Sequence, residues 1–120
     1  MTLAQTKERQ EICGLISKTS DNKMKLLPIS NTAKEPSHFF EMDPAETIQA
    51  MKTMREENSE LFAIYHSHPD TPAYPSKTDI ERAGYPNAVY LIISLNTKGV
   101  LELKGFKIVK NTVSQLDLAV

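Results

Sequence analysis

The stretch "YHSHPDTPAYPSKTD", residues 65–79, holds the groups best suited to chemistry. His66 and His68 stand two apart in a chain with only 3 histidines. Alternate residues of an extended strand share a face, so the two imidazoles project together and can reach one ion. A third donor is needed, and Asp79 is a candidate. It falls three residues after Ser76, a suitable helix cap, and a carboxylate in a first helical turn is favoured by the helix dipole. Two His and one Asp make three ligands with one open position, the pattern of a catalytic rather than a structural zinc. Each residue also has a plainer reading. A lone His-x-His arises by chance, Ser76 can serve only as a cap, and Asp79 only as a helix-start acid. Their coincidence across one Pro-rich loop is what points to a metal.

The elements that must position these groups follow from pattern. Residues 11–18, "EICGLISK", read as a short buried strand in which Gly14 marks a close backbone approach. Turn residues follow, and 24–30, "MKLLPIS", completes a hairpin; Pro28 points to an edge or a bulge. "HFFEM", 38–42, reads as a third short strand. Asp43 as N-cap, Pro44 at the first helical position and Glu46 closing a capping box predict a helix ending near Asn58. Ile48, Met51 and Met54 or Arg55 recur at helical spacing, and the methionines should face the core.

The next strand, 60–69, runs from apolar residues into the histidines, with Phe62, Ile64, His66 and His68 sharing one face. Prolines 69, 72 and 75 keep the following loop irregular. Ser76 caps a second helix, "KTDIERA", which Gly84 should stop. "NAVYLIISL", 87–95, is apolar nearly throughout and should be a central strand. Residues 100–109 alternate as a strand with Gly105 as a bulge, and 111–120 add another. The expectation is one α/β (α+β) domain, 1–120, with a mixed sheet of about six strands and two helices.

Composition narrows the function classes. With 15 acids against 14 Lys and Arg, the net charge is -1, which gives no field to draw in nucleic acid or an anionic membrane. Cys13 is the sole cysteine, so no intrachain disulfide can form. The polar start "MTLAQTKERQ" lacks the apolar centre of a signal peptide. No apolar run approaches the ~20 residues of a membrane helix. A cytoplasmic protein is the plain expectation.

The exact spacing of "HSHP", seven further residues, then Ser-x-x-Asp resembles the signature of the JAMM (MPN-plus) zinc metallopeptidases. His66, Ser67, His68, Pro69, Ser76 and Asp79 fill every downstream element. Upstream, Glu11 in "QEICGLI" is similar to the Glu-x-Cys-Gly stretch of the bacterial branch, and "FFEMDP" and "YPSKTDIERAGYPNAVYLIISL" look like that branch too. The resemblance implies a JAB-type domain of cytidine-deaminase-like architecture. It implies that His66, His68 and Asp79 bind one zinc ion, with a water in the fourth position. Glu11 would be the general base, and Ser76 would donate a hydrogen bond to the oxyanion. The implied substrate is an amide bond at the C terminus of a ubiquitin-like sulfur-carrier protein. Only ten residues precede Glu11, fewer than relatives carry, which leaves a face for a homodimer or another partner.

Other readings have their own features. A noncatalytic MPN-type interaction module would keep the fold and lose metal ligands; all three are present here. A nucleic-acid-processing role conflicts with the near-neutral charge. A domain from a larger peptidase is a further alternative. Glu41 competes with Glu11 as a base. His38 reads as a surface or strand-edge residue, and Cys13 as a small buried hydrophobe.

Overall fold

The computed structural model describes residues 12–32, 41–68, 71–94 and 101–116. Six strands and two helices are described: β1 (Cys13–Thr19), β2 (Met24–Ile29), α1 (Pro44–Glu56), β3 (Ser59–His68), α2 (Lys77–Arg82), β4 (Val89–Ser94), β5 (Glu102–Val109) and β6 (Thr112–Leu116). The strands form one sheet in the order β2-β1-β3-β4-β5-β6. β3 and β4 run parallel, and every other neighbouring pair is antiparallel. A parallel pair needs a crossover, and the Pro-rich loop with α2 supplies it. This places the histidine end of β3 beside the end of β4.

The hydrophobic pattern explains the layers. α1 buries Ala50 and Met54 against Leu15, Ile64, Ile92 and Phe106 of the sheet, and Met51 packs at the margin. A smaller cluster of Ile12, Tyr65 and Ile93 forms separately. As expected, β4 is central, Pro28 lies on an edge strand and Cys13 is buried. Gly14 also meets its expectation: a side-chain carbon there would overlap the Tyr65 ring.

Several local expectations are corrected. Phe62 does not share the face of Ile64. The β1–β3 register shifts between Ile16 and Ser17, so the ladder passes from Ala63 to Leu61. A bulge adds one residue and breaks alternation; Leu61 joins the Ile64 cluster instead, while the Lys18 ammonium lies over the Phe62 ring at 5.0 Å. The pairing of Gly105 continues without a shift on either side, so β5 has no bulge there. Ile48 is 70% exposed rather than packed, because the buried stripe of α1 runs through Ala50 and Met54. Of the expected strand 38–42, residues 38–40 lie outside the described residues, and Met42 makes only an isolated bridge to Asn31. Helix α2 ends on Ala83 in an extended conformation, without a left-handed glycine.

The helix caps also differ from expectation. Asp43 caps α1 by accepting from the Ala45 N–H. Glu46 does not close the box; its carboxylate accepts from the Ser30 N–H at 2.9 Å. The reason is that the Asp43 N–H already donates to the Ser30 carbonyl. The capping box forms at α2, between Ser76 and Asp79.

Candidate metal centre

β3 remains buried to its last residue, so it delivers two imidazoles to the edge of the core; His66 is 1% and His68 3% exposed. Across the loop, the Ser76–Asp79 box turns the Asp79 carboxylate back toward them. Asp79 Oδ2 lies 3.0 Å from His66 Nε2 and 3.0 Å from His68 Nε2, and the two Nε2 atoms are 3.1 Å apart. The same oxygen accepts from the Ser76 N–H at 2.9 Å, and Ser76 Oγ accepts from the Asp79 N–H at 3.1 Å. Among the described residues, this is the group of three His, Cys, Asp or Glu side chains able to converge on one ion.

Donor chemistry makes this cluster more than an ion pair. His68 Nδ1 lies 2.9 Å from the Pro72 carbonyl, which can only accept. Nδ1 therefore carries the proton, and in the neutral ring Nε2 presents a lone pair. That lone pair faces the Asp79 carboxylate and the other imidazole, an arrangement that calls for a cation. Nitrogen and oxygen ligands at zinc distances in a tetrahedron stand ~3.3 Å apart, close to the edges of this triangle. A backbone carbonyl holding the outer nitrogen is also the usual way a metal-binding imidazole is oriented. The residues fit zinc.

Electrostatics agree with a ligand role. Burial lowers the His66 pKa below the ordinary imidazole value, against the opposing pull of Asp79, and so favours the uncharged ring that a ligand must be. Burial raises the Asp79 pKa, but the hydrogen bonds from the His66 imidazole and the Ser76 N–H outweigh it and hold the carboxyl well below the carboxylate range. Zinc ligands must be deprotonated to bind, and both shifts favour that.

The structure brings His66, His68, Asp79 and Ser76 together. Ser76 accepts through Oγ as a cap and is exposed, so its O–H can still be directed outward. Glu11 and His38 lie outside the described residues. Glu41 belongs to a neighbouring groove and not to the triangle. Sequence reasoning gave Ser67 no role, yet it ties the start of β1 to the histidine-bearing strand β3. Its Oγ accepts from the Ile12 N–H at 2.8 Å, and its N–H donates to the Ile12 carbonyl at 3.0 Å. Ile12 directly follows Glu11. The position of Ser67 between the histidines was a signal, but its partner was not legible.

A groove of about 500 Å³ opens over the sheet at Ile64, on the strand that carries the histidines. Met42, Pro44 and Ile48 line it from the α1 side, Arg82 and Tyr85 from the α2 side, and Ile64 and Tyr90 from the sheet. Ile64 precedes His66 by one full pleat, ~7 Å along the strand. The Tyr90 hydroxyl accepts from the Tyr85 N–H at 3.1 Å and so braces that side.

A mixed six-stranded sheet with a His-x-His strand end facing a capped Ser-x-x-Asp helix defines a JAB-type domain. The family model described as prokaryotic homologs of the JAB domain matches residues 1–104, and the chain belongs to that family. It is 40% identical over 86 residues to a desampylase of Haloferax volcanii, covering 70% of this chain and 62% of that protein. It is 32% identical over 107 residues to a CysO-cysteine peptidase of Mycobacterium tuberculosis, covering 88% of this chain and 73% of that one. The solution structure of a protein from Desulfitobacterium hafniense matches with a TM-score of 0.76 and 35% identity, over 91% of this chain and 77% of that chain. No helix among the described residues is long and apolar enough to cross a membrane.

Proposed function

We propose that this chain is a zinc-dependent peptidase that hydrolyses an amide bond at the C terminus of a ubiquitin-like, sulfur-carrier-type protein. The observation that carries the reading is the triangle of His66 Nε2, His68 Nε2 and Asp79 Oδ2 at 3.0–3.1 Å, with the His68 tautomer held by Pro72. The substrate class is supported by the relatives' names, desampylase and CysO-cysteine peptidase, to which a probable TtuB-protein conjugate cleaving protease of Thermus thermophilus adds a third at 39% identity over 59 residues.

His66, His68 and Asp79 hold the zinc. The ion supplies Lewis-acid polarisation of an amide carbonyl and brings the acidity of water toward ~7. Glu11 takes the proton from the attacking water and returns it to the leaving amine, a role worth ~10²–10⁴ in rate. Ser76 donates its O–H to the oxyanion that forms on the scissile carbonyl. The apolar groove receives the extended tail ahead of the bond. A buried lone cysteine suits the reducing cytoplasm, where we place the protein.

The test is mass spectrometry of a ubiquitin-like carrier extended beyond its Gly-Gly terminus, incubated with zinc-loaded protein. Wild type should cut after the second glycine, whereas Glu11→Gln and chelator-treated protein should leave the carrier intact. Zinc bound at one per chain with no cleavage of carrier or conjugate would reject the substrate assignment. No zinc bound would reject the enzyme and favour an interaction module.

A further inference from the structure

The run "VYLIIS" of β4 ends in a polar side chain that packing alone does not require. Ser94 is completely buried, and a buried hydroxyl is costly unless bonded. Its Oγ–H donates to the Thr71 carbonyl at 2.5 Å. Ser94 is the register partner of His68 across the parallel β3–β4 pair, so the two side chains stand together on one face. They grip consecutive carbonyls of the Pro-rich loop: Ser94 holds Thr71, and His68 Nδ1–H holds Pro72 at 2.9 Å.

The chain between those carbonyls is unusually stiff. The Thr71–Pro72 peptide is planar, and the Pro72 ring holds φ near about -65°. The remaining rotation is restrained because the Tyr74 N–H donates to the same Pro72 carbonyl at 2.8 Å. A hydroxyl on β4 thus sets where the Pro72 carbonyl stands, and that carbonyl decides which nitrogen of His68 carries the proton. We infer that Ser94 is a positioning residue for His68, acting through Thr71 and Pro72 to present the Nε2 lone pair to the metal. This rests on the metal reading of the site.

The test compares Ser94→Ala, Ser94→Cys and Ser94→Thr with wild type. Cys preserves volume without a strong donor, and Thr restores the hydroxyl. Two readouts are needed: the ring-nitrogen NMR pattern of His68 in metal-free protein, and Co²⁺ affinity by competition with a chromophoric chelator. Wild type and Ser94→Thr should show a proton on Nδ1 alone. Ser94→Ala and Ser94→Cys should mix both tautomers and bind Co²⁺ about tenfold more weakly, the lower range for an orienting partner. Wild-type tautomer and affinity in both hydroxyl-lacking variants would overturn the inference, as would Ser94→Thr behaving like Ser94→Ala. A tautomer shift in a protein whose wild type binds no Co²⁺ would leave the positioning intact and reject the metal reading instead.

Discussion

Asp43 and Ser76 each open a helix, and each is followed three residues later by an acid, Glu46 and Asp79. At α1 the two residues part company: Asp43 caps locally, and Glu46 reaches across to the Ser30 N–H of the strand segment before it. At α2 they close on each other, and the same Asp79 oxygen meets both imidazoles. The difference lies in which N–H groups are already used. The Asp43 N–H is committed to the Ser30 carbonyl, whereas the Ser76 N–H is left for Asp79. A helix-start acid that satisfies its own cap is held at a defined place, and at α2 that place is the end of β3. One local motif therefore stabilises a helix in one region and aims a carboxylate at two imidazoles in the other.

Removing the two acids should separate these roles by the largest margin. Asp79→Ala should weaken zinc binding by more than ~100-fold, beyond the loss expected from an orienting partner alone. Glu46→Ala should leave one zinc per chain. Elemental analysis after dialysis against a moderate chelator measures both. Zinc retained in Asp79→Ala would break the comparison, because the α2 carboxylate would then be only a cap.

The caps themselves sharpen it next. Ser76→Ala and Asp43→Ala should each cost about 1 kcal/mol in chemical denaturation, the ordinary value of an N-cap. Only Ser76→Ala should also lower kcat, by ~10², if its O–H serves the oxyanion. Equal activity in the two variants would return Ser76 to a purely structural role.

The sequence made the site more legible than the fold's details, for a physical reason. His66, His68, Ser76 and Asp79 are tied by short spacings along one strand, loop and helix, so their convergence needs only local geometry. The central place of β4 and the edge place of β2 were likewise readable, from an unbroken apolar run and from Pro28. What failed depended on distant partners. The bulge opposite Ser17 is set by β1–β3 pairing, and it turned Phe62 away from Ile64. The exposure of Ile48 depends on which stripe of α1 the sheet covers. The Glu46 box failed because Ser30, 16 residues away, took its place. The clamp from Ser67 to Ile12 spans 55 residues, and no spacing rule reaches that far.

The smallest effect is in pH dependence of the metal-free protein. Both acids have depressed pKa values, Glu46 chiefly through the Ser30 N–H, and Asp79 through the His66 imidazole and the Ser76 N–H despite opposing burial. A carboxyl held below its unfolded value adds stability above that value and loses it as pH falls through the folded one. Stability should therefore decline from about pH 4 downward, where unfolded carboxyls begin to take up protons. Asp79→Asn should flatten that decline more than Glu46→Gln, because Asp79 is nearly enclosed while Glu46 lies in solvent that screens its bonds. Denaturant midpoints measured between pH 3 and 7 on the three metal-free proteins decide this. An equal slope in wild type and Asp79→Asn would mean that the unfolded chain holds the Asp79 proton no more tightly than the folded site does. The carboxylate at α2 would then have no electrostatic advantage over the one at α1 until a cation arrives.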